Sequence, residues 1–76
     1  MKAYVLIKTR AGDVKDVVTS VRQLEGVTEA HMTFGPFDIV AEVETPDVAT
    51  LGAVTASGIQ PIPGVEQTLT CLAVDF

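Results

Sequence analysis

The sequence predicts an α+β domain of the ferredoxin-like kind: a four-stranded antiparallel sheet with two helices on one face, in the order βαββαβ. Three observations lead there. Apolar spacing along the 76 residues changes from a strand-like run to a helical stripe and then to strict alternation. Two alternating stretches flank Gly35-Pro36, as the arms of a hairpin do. Finally, Leu24-Glu25-Gly26-Val27 is echoed by Ile62-Pro63-Gly64-Val65 at an offset of 38 residues, so the chain divides into two similar halves.

Each element has its own signal. Ala3 to Thr9 is aliphatic and β-branched and reads as a strand that Ala11-Gly12 breaks. Asp13 is the expected N-cap of a first helix, with Asp16 imitating a capping box and suiting the positive end of the helix dipole. Val14, Val17, Val21 and Leu24 then form the apolar stripe, and Gly26 closes the segment. Three valines make this helix weak by itself, so packing must hold it. From Val27 the period is two, with Thr28, Ala30, Met32 and Phe34 on one face and Val27, Glu29, His31 and Thr33 on the other. A two-residue Gly35-Pro36 turn of type II′ is expected, since proline cannot adopt positive φ at its own position. It would pair Phe34 with Phe37, Thr33 with Asp38, His31 with Val40 and Glu29 with Glu42. The second arm runs from Phe37 to Glu44. Thr45-Pro46-Asp47 supplies a cap, a proline in the first turn and an acidic group for a second helix reaching about Ser57, with Gly58 as its stop. Val65 to Phe76 is the last strand.

Composition narrows the function. Residues 1–76 make one domain, with 47% hydrophobic and 20% charged residues. Ten acidic against five basic residues leave a net charge of −5, which gives no electrostatic footprint for phosphate backbones or anionic lipid. The single cysteine, Cys71, excludes an internal disulfide and fits a reducing cytoplasm. The apolar run between Lys2 and Lys8 is too short for a signal peptide or a membrane span.

A chain this short buries a modest share of its surface. Its first strand is apolar on both faces, and Val40, Leu72 and Val74 add to the face that two helices leave uncovered. A second copy, sheet against sheet, is the expected cover.

The chemistry-bearing residues are few. Cys71 and His31 show no nucleophile–base spacing, and a cysteine inside a strand is expected to be a small buried hydrophobe. Glu29 opposite Glu42 is too sparse a set for a metal. The turn is richer, because Asp38 offers a carboxylate to a ligand's ammonium with Phe37 as an apolar wall. Thr68 and Thr70 present hydroxyls from one face of the last strand. No phosphate loop, zinc-hydrolase helix or nucleophile elbow is present.

The segments Ala3-Tyr4-Val5-Leu6-Ile7-Lys8, Leu24-Glu25-Gly26-Val27, Gly35-Pro36-Phe37-Asp38, Ile62-Pro63-Gly64-Val65 and Thr68-Leu69-Thr70, in this order and spacing, resemble the effector-binding (RAM) domain of Lrp/AsnC regulators over essentially the whole chain. The resemblance implies sheet-to-sheet dimers, assembly into larger rings such as an octamer of four dimers, and an amino acid bound between dimers. It carries that ligand's site onto Gly35, Phe37, Asp38, Thr68 and Thr70, with no catalytic residue, metal or cofactor. Pro36 stands where an acidic or polar residue is common in the family, and Phe37 where tyrosine is frequent. Met1 lies directly on the first strand, so a stand-alone module without a helix-turn-helix is expected, with no direct nucleic-acid or membrane contact. Its partners would be copies of itself or full-length Lrp/AsnC regulators. An ACT-type allosteric domain shares the element order. A dimeric α+β barrel enzyme of the monooxygenase type does too, but would need an apolar cavity between sheet and helices with His31 or another polar group inside.

Overall fold

In the computed structural model, which describes residues 1–74, the chain forms β1 (Lys2–Thr9), α1 (Val14–Arg22), β2 (Val27–Met32), β3 (Ile39–Glu44), α2 (Val48–Ala53) and β4 (Val65–Leu72). A π-helical extension, Val54–Ile59, continues α2 without a break. The four strands are ordered β2-β3-β1-β4, all neighbours antiparallel. This is the ferredoxin-like βαββαβ arrangement. The expected end of the last strand, Asp75 and Phe76, lies outside the described residues.

Period-two alternation on the central strands builds the core. Ala3, Val5 and Ile7 of β1 sit beside Val43, Ala41 and Ile39 of β3, and all six are fully buried under the helices. Val17, Val18 and Val21 of α1, Leu51 of α2 and Ile59 of the π-helical extension close over them. Val14 and Leu24, at the ends of the predicted stripe, are half-buried against the same core.

The internal repeat is structural as well as sequential. Gly26 and Gly64 hold φ of 97° and 98°, a left-handed conformation that favours glycine. Each lets the chain turn tightly into the following strand, through Val27 N–H to Leu24 O at 3.2 Å and Val65 N–H to Ile62 O at 3.1 Å. Each glycine carbonyl then accepts from a strand end, Glu44 N–H at 2.8 Å and Arg10 N–H at 2.7 Å.

Several local expectations are corrected. Asp13 does not cap α1 through its side chain, because Arg10 Nε takes its Oδ2 at 2.7 Å. The second helix is capped by Asp47, not Thr45: Asp47 has extended backbone and its Oδ1 accepts from Thr50 N–H at 2.7 Å. Hydrogen bonding from Thr50, through its side chain first and its backbone N–H second, holds the Asp47 carboxyl below its ordinary range. Helical structure passes Ser57 and Gly58 to end at Ile59. The wide turn is registered by Gln60 N–H donating to Thr55 O at 2.9 Å, a five-residue span. Gly58 suits the extension because its missing Cβ would sit 3.3 Å from Leu24 Cδ1.

The face away from the helices carries Tyr4 and Leu6 of β1, Val40 and Glu42 of β3, and Leu69 and Cys71 of β4. Leu72 belongs to the other face, opposite Ala3. It is exposed there, on the edge strand of the sheet, and does not belong to the face away from the helices. Val74 follows the strand and is exposed. Cys71 is exposed as well, against the expectation of a buried hydrophobe.

Candidate functional site

The β2–β3 connection is wider than a two-residue turn. Thr33 N–H donates to Asp38 O at 2.9 Å, and the Thr33 hydroxyl donates to Phe37 O at 2.9 Å. Phe34 to Phe37 therefore form a four-residue loop. Gly35 has φ of 147°, far from the value of about +60° at the first position of a type II′ turn. The Lys8 ammonium, donating to Pro36 O at 3.2 Å, holds the loop from β1. The pairs His31 with Val40 and Glu29 with Glu42 are nevertheless those expected. Opening the turn symmetrically removes the innermost pair without shifting register. A Cβ at Gly35 would meet nothing within 4 Å, so the glycine is required by its backbone angle and leaves open space above the loop.

Asp38 is built into the sheet. Its N–H donates to Ile7 O at 2.9 Å, and its Oδ2 accepts from Thr9 N–H at 2.8 Å and from the Thr9 hydroxyl at 3.3 Å. A side-chain oxygen thus extends the β1–β3 ladder past its last backbone pair. The other oxygen, Oδ1, has no hydrogen-bond partner among the described residues. Phe37 beside it is half-buried, which fits an apolar wall.

Thr68 and Thr70 do share a face of β4, opposite Ile7 and Val5. Thr68 is half-buried and already accepts from Gln60 Nε2 at 3.3 Å, whereas Thr70 is exposed. β1 lies between these hydroxyls and Asp38, a separation of two strand spacings, about 10 Å. Gly35, Phe37 and Asp38 form one group at the Thr9 end of β1, and Thr68 and Thr70, opposite Ile7 and Val5, form another. Sequence reasoning missed Thr9 and Lys8. Thr9 lies 29 positions from Asp38, and no local spacing announces their contact.

The remaining polar groups are accounted for. Glu29 turns to His31 Nε2 at 3.1 Å and Glu42 to Lys2 Nζ at 3.1 Å, so each of the facing glutamates has a partner on its own strand or on β1. The His31 hydrogen bond holds the Glu29 carboxyl below its ordinary range, and Glu42 raises the Lys2 ammonium above its own. Among the described residues no group of His, Cys, Asp and Glu could hold a metal. His31 is exposed on the face away from the helices, not inside a cavity beneath them as an α+β barrel enzyme built on it would require. No described helix is long and apolar enough to cross a membrane. A groove of about 600 Å³ lies elsewhere, where Glu25-Gly26 and Glu44-Thr45-Pro46 meet α2 and its extension.

Comparison with known proteins agrees with this geometry. The family model of the Lrp/AsnC ligand binding domain matches residues 2–75. An HTH-type transcriptional regulator, FL11 of Pyrococcus abyssi, is 32% identical over 74 residues, which are 97% of this chain and 48% of that protein. The chain thus spans about half the length of that curated relative. The crystal structure of TTHA0845 from Thermus thermophilus superposes with a TM-score of 0.94 at 37% identity, covering 99% of this chain and 94% of that one. A transcriptional regulator of Neisseria meningitidis, NMB0573, crystallised as an L-Met complex, shares the fold at a TM-score of 0.86 and 17% identity, covering 97% of this chain and 49% of its own.

Proposed function

This chain belongs to the Lrp/AsnC ligand-binding domain family, and we propose that it is an effector-binding and assembly module whose ligand is a free amino acid. It acts by binding and not by catalysis. Asp38 carries the reading: Thr9 fixes one carboxylate oxygen and leaves Oδ1 without a hydrogen-bond partner among the described residues, directly after the loop that holds Gly35 and Phe37. An ammonium group pairs with that oxygen, Gly35 admits the ligand close to the backbone, and Phe37 covers its apolar part. The L-Met complex of the Neisseria regulator supports the class of ligand.

Thr68 and Thr70 hold the polar end of the ligand from a second copy. Within one chain these hydroxyls stand about 10 Å from Asp38, across β1, farther apart than the amino and carboxyl groups of one amino acid. The exposed apolar residues Tyr4, Leu69 and Cys71, with half-buried Leu6 and Val40, support a sheet-to-sheet homodimer as the unit of assembly, and larger rings as its extension. The same face offers a route into mixed assemblies with full-length Lrp/AsnC regulators. A net charge of −5 assigns nucleic-acid contact to such partners rather than to this domain.

The test is titration calorimetry of the purified chain with each of the twenty free L-amino acids, repeated with Asp38→Asn. Saturable binding that Asp38→Asn weakens at least tenfold is the expected result. Absence of heat with every amino acid, or equal affinity in the variant, refutes the assignment.

A further inference from the structure

The face away from the helices carries a cluster of ionisable groups beside its apolar residues. Glu29 and His31 of β2 lie next to Glu42 and Glu44 of β3, with Lys2 and Tyr4 of β1 beyond them. His31 Nε2 stands 3.1 Å from Glu29 Oε1, and Lys2 Nζ stands 3.1 Å from Glu42 Oε1. Val40 is opposite His31 and Tyr4 is opposite Glu42, so the cluster is continuous with the apolar part of that face. Tyr4, Glu29, His31, Val40 and Glu42 together line a depression of about 100 Å³.

Charge in this cluster does not balance. Glu29, Glu42 and Glu44 bring three carboxylates, and Lys2 brings one ammonium. A protonated His31 adds the second cation. It is the one histidine of the chain, and histidine is the side chain whose charge ordinarily changes between pH 5 and 8. Farther off on the same face are Lys8, at the other end of β1, and Cys71 of β4. In the single chain the histidine pair is worth little, because the His31 and Glu29 side chains are 66% and 60% exposed and water screens them. Under a second sheet the same groups lose that water. Its loss raises the cost of an uncompensated carboxylate and strengthens the attraction of a cation for it.

We propose that His31 makes the contact between two sheet faces dependent on pH, so that the dimer takes up protons at His31 and tightens as pH falls through neutrality. This rests on the sheet-to-sheet reading and adds regulation to it. Charged His31 offsets Glu29 where water is excluded, so the dimer holds that proton more tightly than separate copies do. By linkage, proton uptake then favours association. The added affinity is present on the acid side of neutrality and lost on the alkaline side. A two-fold contact contains His31 twice, which doubles the effect. The gain ends below about pH 5, where carboxylates take protons themselves.

Sedimentation equilibrium of the full chain at about pH 6 and about pH 7.5, at constant ionic strength and with Cys71 kept reduced, tests it. The wild-type dimer should be about tenfold tighter at the lower pH. His31→Gln should remove that difference and associate as the wild type does at the higher pH. Glu29→Gln removes the carboxylate that lacks a permanent cation and should be tight at both. The two positions are exposed, so neither change disturbs the core. A wild-type dimer equally tight at both pH values overturns the proposal and leaves the dimer standing. So does a pH difference that survives in His31→Gln, or a Glu29→Gln dimer as weak as the wild type at the higher pH. A chain that stays monomeric at every concentration and both pH values overturns the sheet-to-sheet reading as well.

Discussion

Replacing Asp38 by alanine and by asparagine separates its place in the fold from its place in the site. In the wild type, Oδ2 accepts from Thr9 N–H at 2.8 Å and from the Thr9 hydroxyl at 3.3 Å. Thr9 is only 8% exposed, so its amide has no ready exchange for water. The hydroxyl can rotate to another acceptor, but the amide cannot. Asp38→Ala therefore leaves one buried donor unsatisfied, a cost of about 2 kcal/mol. For a domain of this size that lowers Tm by about 8–16 °C. Asp38→Asn keeps an oxygen for the Thr9 amide and loses only the charge assistance, costing about 0.5–1 kcal/mol. Urea denaturation followed by circular dichroism, at one protein concentration so that assembly is constant, measures both values. An Asp38→Ala protein as stable as the wild type would refute the structural account of Oδ2. Asp38→Asn is then the informative variant for the ligand, because it is folded and lacks only the negative charge.

Three further outcomes follow from the same structure. Ile59→Ala, at a fully buried position at the end of the π-helical extension, should cost about 2–5 kcal/mol in urea unfolding, while Ile59→Val should cost about 0.5–1.5 kcal/mol. Gly64→Ala should destabilise more than Gly12→Ala. Both have positive φ, but a Cβ at Gly64 would lie 2.9 Å from Asp13 Cβ, whereas one at Gly12 would meet nothing within 4 Å; equal melting temperatures would refute the packing argument. The carboxyls of Glu29 and Asp47 are held below their ordinary ranges, so the stability they add is present above those ranges and lost as pH falls through their folded values. The urea midpoint should therefore drop below about pH 4, and Asp47→Asn should flatten part of that drop.

The parts of the fold legible in the sequence are those governed by period. Alternation in Val27–Met32 and Ile39–Glu44 specified the faces and the pairs His31–Val40 and Glu29–Glu42. Those pairs are insensitive to the width of the loop between them. The turn type was not legible, since it depends on the Thr33 hydroxyl reaching Phe37 O and on Lys8 reaching Pro36 O from another strand. The caps failed for a similar reason: Arg10 competes for the Asp13 carboxylate, and in Thr45-Pro46-Asp47 two residues are able to cap. Nothing in the residue types of Val54–Ile59 distinguishes a π-turn from an α-turn. For the site, the sequence placed Gly35 and Phe37 in the loop that Asp38 closes, but β1 between that loop and Thr68 is a fact of strand order.

The two halves of the chain repeat each other through Gly26 and Gly64, yet their strands end up in different surroundings. α1 packs on β2 and buries Ala30, whereas β4 has no fully covered residue. Leu69 and Leu72 lie on opposite faces of β4, and both are 48% exposed. The second half thus carries the deficit of burial that a domain this small must meet by association. Thr68 and Thr70 stand on that same strand. If a neighbouring copy covers β4, the hydroxyls that complete the effector site are brought in by the contact that relieves the deficit. Ligand and assembly then share one free-energy coupling: whatever factor the neighbour adds to effector affinity, the effector returns to the stability of the assembly.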